Sequence, residues 1–595
     1  MIAVLAVTPA ALPAAQKVVA ALPGARLHGL AGRVDNADTV FSDTKAHIRA
    51  LFEDGTAIIG VCAAGILIRA VAPLLTDKQA EPPVLAVAPD GSSVVPLLGG
   101  HHGANELARS LATALGSHPA ITTAGDLKLG VALDEPPAGW HVANPEAAKP
   151  VATALLAGEP VRLEVEAGQA QWLAHLPFTD EADASVRVTD HQVVADEAEL
   201  LLNPPVLALG VGCDRGCPPE ELAALVRDTL EAEALAPGAI ACVASIDLKM
   251  DEPAVHALAK QLGVPVRFFT PAELAAEAPR LHNPSDIVLK ETGCPGVSEG
   301  AALAAAGPEA ELVVPKLKTK RATLAIARSP AAIEPLKVGR GRGTLYVVGI
   351  GPGTPYWRTP EVSLAIAAAT DLVGYGMYLD LLGDAAAGKA RHESNLGAEA
   401  DRARMALDLA GEGKTVALVC SGDAGIYALA TLVFELIDRE QKPEWLRTEV
   451  SVCPGISALQ AAAARAGAPV NHDFCTISLS DLLTPWETIE KRLKAAAEAD
   501  FVVCFYNPVS QRRRDQLAKA RDILLTGRPP ETPVILARQL GRPEERVTVV
   551  TLGELTPDHA DMLTLVMVGS SESRRLTLGG QERVYTPRGY AKKLV

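Results

Sequence analysis

The feature that most restricts how this chain can fold is a recurring unit: a short run of Val, Ile, Leu and Ala, a loop carrying Gly or Pro, then a helical stretch. In the first half the apolar runs are 57–62, 83–98, 206–214, 239–247 and 264–270, with helical stretches at 104–116 and 218–235. In the second half 415–436 reads as strand, tight polar loop and helix; 449–467 and 500–525 repeat the unit, and 562–573 is a late strand entering a loop. Strands alternating with helices imply sheets that are largely parallel, whose ligands gather at loops beyond the strand C-termini. The expected fold class is α/β, multidomain, with parallel or mixed sheets and flanking helices. No fixed period of roughly 20–50 residues recurs, so a solenoid is not favoured.

A chain of 595 residues is too long for one hydrophobic core, so several domains are expected. The clearest boundary is "RSPAAIEPLKVGRGRG" (328–343), rich in Pro, Gly and basic residues and without apolar periodicity. A softer stretch from about Trp140 to Pro205 alternates like strands before the Pro204-Pro205 break. The expected domains are 1–140, a middle or linker region 141–205, 206–328, a linker 329–343, and 344–595 with lobes 344–468 and 469–595.

Composition narrows the class. At 48% hydrophobic but 4% aromatic, the chain suits Ala-packed helices over Val/Leu strands and is too apolar for disorder. With 55 Lys+Arg against 71 Asp+Glu the net charge is −16, which argues against a nucleic-acid partner while leaving room for a local basic site. The start, "MIAVLAVTPAALPAA", has no basic residue before Lys17 and two interrupting prolines, so Ile2 to Val7 reads as a first strand rather than a signal peptide. Nowhere does an apolar run reach the roughly 18 residues that a membrane span needs. Nine scattered cysteines fit reduced cytoplasmic thiols better than a disulfide framework. The close pair Cys213 and Cys217 lacks a second pair at zinc spacing, so no metal site is expected.

Three loops of the second half carry the chemistry. "LYVVGIGPGTPYWRTP" (345–360) imitates a dinucleotide fingerprint, but its third glycine falls at 353 and position 354 is Thr. Pro352 and Pro355 also remove N–H donors that a pyrophosphate would use, leaving a structural turn or another ligand as the readings. Ser421-Gly422-Asp423-Ala424-Gly425 lets a ligand approach the backbone, and Asp423 can accept hydrogen bonds from hydroxyl or ammonium groups. "CPGISA" (453–458) repeats the arrangement, with Ser457 placed to cap the next helix.

Taken together, "VVGIGPGTP", "SGDAGIYAL", "CPGISALQAAAARAGAP", "FYNPVSQRR", "VILARQLGRPEERV" and "TPRGY" make residues 344–590 resemble the tetrapyrrole (corrin/porphyrin) methylase family. Within it the likeness is to the branch that methylates C-17 of precorrin-3B with ring contraction. The resemblance implies a two-lobed methylase that uses S-adenosylmethionine as cofactor, takes a tetrapyrrole with or without cobalt, and forms a homodimer through this half. It places Gly422, Asp423, Ala424, Tyr427, Ser457, Ala458, Tyr506, Asn507 and Ala537 at the cofactor, and Gly351, Pro352 and Gly353 on the macrocycle side. Many relatives have Asp where Thr354 stands. A polycarboxylate macrocycle calls for Arg forks. Arg402, Arg404, Arg512, Arg513, Arg514 and Arg538 are the candidates, Arg538 foremost because its strand is otherwise apolar.

In the first half "LGGHHGANELA" (98–108) puts His101 and His102 at a strand end, where an imidazole can act as acid or base near neutral pH. "VCAAGILIRAVAPLLTDK", "PLLGGHHGANELA", "ITTAGD", "LGVGCDRGCPPEEL", "ASIDLKMDEPAVHALAKQLGVP" and "KETGCPGVSEGAALAAAG" resemble the cobalt-precorrin-5A hydrolase family over residues 1–328. That family opens a lactone on the macrocycle and releases acetaldehyde. Gly65, His101, His102, Asp126, Asp214, Lys249, Glu291 and Glu299 are the positions to examine. Two further readings stand beside this one: a corrinoid-binding module without turnover for the first half, and an NAD-linked oxidoreductase for the second. A flexible 329–343 would tether two sites at raised local concentration.

Overall fold

The computed structural model describes residues 2–22, 24–34, 36–76, 81–122, 129–196, 198–394, 397–510 and 513–589. It divides into two compact units, Met1–Arg342 and Gly343–Val595. Among the described residues, no helix is long and apolar enough to cross a membrane.

Unit one holds three sheets. The first comprises Ile2–Ala6, Ala25–Leu30, Thr39–Phe41, Ala57–Val61, Val84–Val87, Ser93–Leu98 and His118–Pro119 (β1–β7), in the order β3-β2-β1-β4-β5-β6-β7. The strands β1 to β5 run parallel. Period-two alternation sends Val4, Ala6, Ile59 and Val61 to the helices Leu12–Ala21 and Ala104–Leu115, and Ala3, Leu5 and Ile58 to Thr44–Glu53 and Ala64–Val71. Each fully buried Val, Leu or Ile contributes about 1.5–3 kcal/mol. The run 83–98 folds as a hairpin, because Asp90 Oδ1 accepts the Ser92 N–H at 3.0 Å and turns β6 antiparallel onto β5.

The stretch 141–205, expected to be a middle or linker region, contributes most of a folded lobe. His141–Val142, Val161–Val165, Ala184–Val188 and Glu199–Asn203 (β8–β11) form a sheet in the order β8-β11-β10-β9. Leu133, Leu155, Leu173, Val186 and Leu200 make its core under the helix Pro145–Ala157. Asn144 fixes the edge, accepting the Leu201 N–H at 2.8 Å and donating to the Glu199 carbonyl at 2.7 Å.

The third sheet is Leu207–Cys213, Ile240–Ile246, Val266–Phe269, Glu311–Lys318 and Ala322–Arg328 (β12–β16), in the order β14-β13-β12-β16-β15. β12, β13 and β14 are parallel, and β16 is antiparallel to β12. The helix Val297–Ala306 lies against β12 so closely that a Cβ at Gly210 would fall 2.0 Å from the Ser298 carbonyl oxygen.

The segment 329–343 is not a free tether. Ser329 and Ile333 donate their N–H groups to Val206 and Pro205 carbonyls at 2.9 and 2.8 Å, and Ile333 is buried. Arg340 exchanges two backbone hydrogen bonds with Phe268, at 2.7 and 2.9 Å, extending the sheet beyond β14. The Arg267 guanidinium donates to the Val338 and Gly339 carbonyls at 2.6 and 2.8 Å, and Arg340 Nη2 stands 2.5 Å from Asp247 Oδ2. Backbone pairing leaves no apolar period, which is why the segment read as a linker.

Unit two opens with Thr344–Gly349, Asp371–Tyr375, Ala390–Ser394, Thr415–Cys420 and Glu449–Cys453 (β17–β21), an all-parallel sheet in the order β19-β18-β20-β17-β21. The helices Glu399–Gly411 and Ala430–Glu440 cover Val347, Val373 and Leu418 on one face; Pro360–Ala368 covers Val348, Leu372 and Val419 on the other. From β17 the chain crosses to β18, and from β20 it crosses the opposite way to β21. The C-terminal ends of β17 and β20 therefore flank a topological switch point, where ligands of such sheets bind.

The remaining strands are Gly467–Ala468, Phe474–Ser478, Val502–Tyr506, Pro533–Arg538, Arg546–Thr551, Thr564–Val568, Arg574–Leu578 and Gln581–Tyr585 (β22–β29). They form a mixed sheet, β23-β24-β27-β25-β26, and a small one, β22-β29-β28. The helix Ala458–Ala466 follows β21 but packs its Leu459, Ala462 and Ala466 against Val502, Ile535 and Met567 of the mixed sheet. It joins the two halves of unit two.

Arg267→Ala removes both hydrogen bonds that hold the 338–339 backbone, each worth about 1.5–3 kcal/mol because the donor is charged. Hydrogen exchange across 335–342 should rise at least tenfold in this variant while β12 stays protected.

Candidate functional site

The glycines after β17, β20 and β21 meet backbone to backbone. Gly351 and Gly422 exchange N–H···O bonds of 3.1 and 2.9 Å, each with positive φ (78° and 69°). A Cβ at Gly349 would lie 2.6 Å from the Gly422 carbonyl oxygen. At Gly455 it would lie 2.2 Å from that oxygen and 2.3 Å from the Gly349 oxygen. Gly422 itself has nothing within 3.7 Å of such a Cβ, its nearest neighbour being the Ala458 nitrogen at 3.8 Å.

Asp423 ties two of these loops together. Its Oδ1 accepts the Gly425 N–H at 2.8 Å and its Oδ2 the Gly455 N–H at 3.1 Å. The carboxylate is thus engaged with the backbone on both oxygens, so its first effect is on loop geometry. Ser457 completes a capping box: its Oγ accepts the Gln460 N–H at 3.2 Å, and its own N–H reaches Gln460 Oε1 at 2.9 Å. Ala424 is fully buried beneath the loop.

Two tyrosines extend the site. Tyr427, half exposed and at φ 51°, donates its hydroxyl to the Thr476 carbonyl at 3.1 Å, and its ring lies 5.0 Å from that of Tyr506. The Tyr506 oxygen accepts the Leu459 N–H at 3.2 Å. Burial pushes the Tyr506 phenol pKa up, while the Leu459 and Ser457 contacts pull it the other way. Asn507, also left-handed at φ 49°, donates to Ser478 Oγ at 3.1 Å. Ala537, Ala458 and Tyr506 share one packed cluster. All nine expected cofactor positions therefore occupy one neighbourhood.

The proline-glycine loop forms a second wall. A Cβ at Gly353 would lie 2.6 Å from the Leu540 oxygen, so the loop rests on the turn between β25 and β26. Thr354 Oγ accepts the Tyr356 N–H at 3.4 Å and opens a short turn, Pro355–Trp357, a task that Asp also performs. The following helix begins only at Pro360, so no helix N-terminus stands behind Gly349–Gly353 to receive a pyrophosphate.

Of the arginine candidates, Arg538 is exposed and paired with Asp561 at 2.8 Å. Arg404 pairs with Glu440 at 2.7 Å, and Arg514 with Asp558 at 2.5 Å. Arg402 is buried with its Nε on Ser394 Oγ at 2.6 Å. Arg513 has an 11% exposed side chain 3.9 Å from Asp481, so it is no solvated helix face; Arg512 lies outside the described residues. Sequence reading quoted the Gly455 loop but singled out only Ser457 and Ala458 in it, and it gave Trp357, Arg542 and Glu545 no role. A Gly-containing turn between two β-branched strands was the available signal for the last two.

In unit one the candidates do not assemble. Gly65 follows β4 at the C-terminal edge of the parallel strands, whereas the turn Gly100–His102 follows antiparallel β6 at the opposite edge. A Cβ at Gly99 would touch Pro82 and Pro83, which precede β5, and this confirms the separation. The His101 side chain and Asp126 lie outside the described residues. His102 is exposed at that turn. Glu299 is buried and bound by the His282, Asn283 and Lys316 N–H groups and the Asn283 amide at 2.8–2.9 Å, so it is a structural carboxylate. Burial would raise its pKa, yet these four donors hold it below the usual range. Glu291 is exposed on a helix.

Asp214 and Lys249 do fall together, after the neighbouring parallel strands β12 and β13. Beside them Arg215 binds Asp251 at 2.6 Å, and Glu252, which is buried, accepts the Gly216 N–H at 3.0 Å. Burial pushes the Cys213 thiol up to about 12, so it stays protonated at neutral pH.

Comparison with known proteins agrees with this division. Residues 344–556 match the model of the tetrapyrrole (corrin/porphyrin) methylases, 46–126 that of the cobalamin synthesis G N-terminal domain, and 207–327 that of its C-terminus. A precorrin-3B C(17)-methyltransferase from Sinorhizobium sp is 48% identical over 42% of this chain and 98% of its own length. A probable cobalt-factor III C(17)-methyltransferase from Salmonella typhimurium is 44% identical over 41% and 99%. A crystal structure of the methyltransferase CobJ is 44% identical, with coverage of 41% of this chain and 100% of that one and a TM-score of 0.39. The chain belongs to the tetrapyrrole methylase family through unit two, with cobalamin synthesis G domains preceding it.

Gly455→Ala places a methyl group against two carbonyl oxygens that cannot withdraw without moving β17 and β20. Overpacking of this kind costs about 1–3 kcal/mol, so the thermal midpoint of unit two should fall.

Proposed function

We propose that the chain is a bifunctional enzyme of corrin-ring construction. Unit two methylates C-17 of precorrin-3B with ring contraction, using S-adenosylmethionine; unit one opens the lactone of cobalt-precorrin-5A and releases acetaldehyde. The observation that carries this reading is the three-glycine junction, found in a unit that is 48% identical to a C-17 methyltransferase along nearly all of that protein.

The residues present suit a sulfonium nucleoside. A Cβ at Gly422 would meet only ordinary contacts, at 3.8 Å and beyond, the loop prolines offer no phosphate nest, and Ala458, Tyr506 and the half-exposed Tyr427 ring provide an apolar surround. When bound, S-adenosylmethionine supplies an electrophilic methyl group for in-line displacement by the electron-rich macrocycle. Positioning then provides most of the acceleration. Asp423 holds the 421–425 loop against Gly455, and Ser457 and Tyr506 fix the start of the helix Ala458–Ala466. Self-association as a homodimer through unit two belongs to the same proposal and is read by sedimentation of the purified chain.

For unit one a second reading has a specific observation in its favour. Gly65 and the His101-His102 turn stand at opposite edges of their sheet, and Glu299 has its carboxylate filled by the protein's own donors. A corrinoid-binding module without turnover fits that arrangement. Acetaldehyde release from lactonised cobalt-precorrin-5A by the intact chain separates the two: release supports the hydrolase, and tight binding without release supports the module.

Two measurements test unit two. Product analysis with precorrin-3B and S-adenosylmethionine should yield a C-17-methylated, ring-contracted macrocycle, and calorimetry should detect S-adenosylmethionine but not NAD. Asp423→Ala should weaken S-adenosylmethionine binding by about 1–3 kcal/mol, because the cofactor must then order a 421–425 loop that has lost both contacts holding it. Unchanged affinity in a folded variant removes Asp423 from the cofactor site.

A further inference from the structure

The turn between β25 and β26 is built to hold one guanidinium in an unusual position. Gln539 and Gly541 adopt positive φ (50° and 71°), and the Arg542 N–H closes the turn on the Gln539 carbonyl at 3.0 Å. The Gly541 N–H donates to Glu545 Oε2 at 2.6 Å; Glu545 in turn pairs with Arg465 at 2.7 Å, and that guanidinium lies 4.6 Å from the centre of the Trp357 ring. Two glycines let this turn interlock with the proline-glycine loop. A Cβ at Gly353 would lie 2.7 Å from Arg542 Cγ, and one at Gly541 2.7 Å from the Thr354 nitrogen.

Held there, Arg542 lacks what its neighbours have. Arg538, Arg465 and Arg514 each have a carboxylate within 2.8 Å. Among the described residues Arg542 has none: its Nε is shielded from solvent without a hydrogen-bond partner, and its Nη1 has the Met377 sulfur at 3.7 Å. Arg542 is half-buried, and a guanidinium nitrogen shielded from water without a partner is costly. Tyr378 lies close enough for the Arg542 charge to oppose the upward shift that burial gives its phenol, and the Tyr375 ring stands edge-on to that of Tyr378 at 5.4 Å. A cation beside two aromatic rings and a glycine loop suits a flat ring system with acidic side arms.

We propose that Arg542 binds a side-arm carboxylate of the macrocyclic substrate at the wall formed by Gly353, Met377 and Tyr378. The inference rests on the reading of unit two as acting on a tetrapyrrole. It replaces Arg538, whose charge Asp561 already meets, as the substrate's anchor.

The test uses the full chain with Arg542→Gln, and Arg542→Lys, which keeps both the charge and the stem that packs on Gly353. Three quantities are read: KM for precorrin-3B, S-adenosylmethionine affinity by calorimetry, and binding of uroporphyrin, a stable porphyrin octacarboxylate. Loss of one charge-assisted contact predicts a rise of about 10- to 100-fold in KM and in the uroporphyrin Kd for Arg542→Gln, partly restored by Lys. S-adenosylmethionine affinity should stay within about twofold, since a single lost substrate contact leaves the cofactor's contacts intact. An unchanged KM and porphyrin Kd in the Gln variant overturns the proposal. So does an equal loss of S-adenosylmethionine affinity, which assigns Arg542 to the cofactor's carboxylate or to loop geometry. If the wild-type chain does not methylate precorrin-3B yet binds uroporphyrin in an Arg542-dependent way, the C-17 reading fails and the anchor stands. Binding of neither macrocycle by the wild type overturns both.

Discussion

Three backbone segments can converge after β17, β20 and β21 only because no side chain stands between them. The Gly349 and Gly422 oxygens occupy the space a Cβ of Gly455 would need, and Gly422 fills that of Gly349. The reciprocal Gly351–Gly422 hydrogen bonds then satisfy polar groups that would otherwise lie idle at the strand ends. The Asp423 carboxylate bridges the two loops whose N–H groups remain. Everything placed around the site, from the buried Ala424 to the capped helix at Ser457, is referenced to this junction.

The helix Ala458–Ala466 carries that order to the second half of unit two. Its start is held by its own capping box and by the Tyr506 hydroxyl, which comes from β24 of the mixed sheet. Its small-residue face packs on β24, β25 and β27. Ala461, Ala462, Ala463 and Ala466 permit a close approach that larger residues would prevent, so the low aromatic content of the chain is a packing requirement here. Tyr427 closes the arrangement from the other side by reaching the Thr476 carbonyl. A displacement of either sheet would strain contacts at both ends of this one helix.

Much of this was legible in the residues. Period-two apolar runs and capping residues marked the strands and helices of both units, because burial on two faces leaves a strong pattern. "SGDAG" and "CPGISA" announced loops at strand ends, and the structure brings them together. What escaped were effects that depend on partners distant in sequence. Asp423 was read as facing a ligand, yet its oxygens take loop N–H groups that only the fold supplies. Arg538 was favoured for lying in an apolar strand, a criterion blind to Asp561 on the neighbouring β27 side. Gly65 and the His101-His102 turn were both positions to examine, and only the antiparallel course of β6 shows that they stand at opposite edges of the sheet.

The docking of 329–340 changes what the fusion can do physically. A flexible segment raises the local concentration of one site about another according to its length and stiffness. Here Arg340 is still paired with Phe268, and the Gly343 oxygen already accepts the Glu449 N–H at 3.0 Å. Only Gly341 and Arg342 lie between those two anchored residues, and at most about 3.6 Å per residue is available to them. Arg340 also reaches Asp247, which follows β13 beside Lys249 and the Arg215–Asp251 pair. The segment that joins the units is thus part of the wall of unit one's polar cluster.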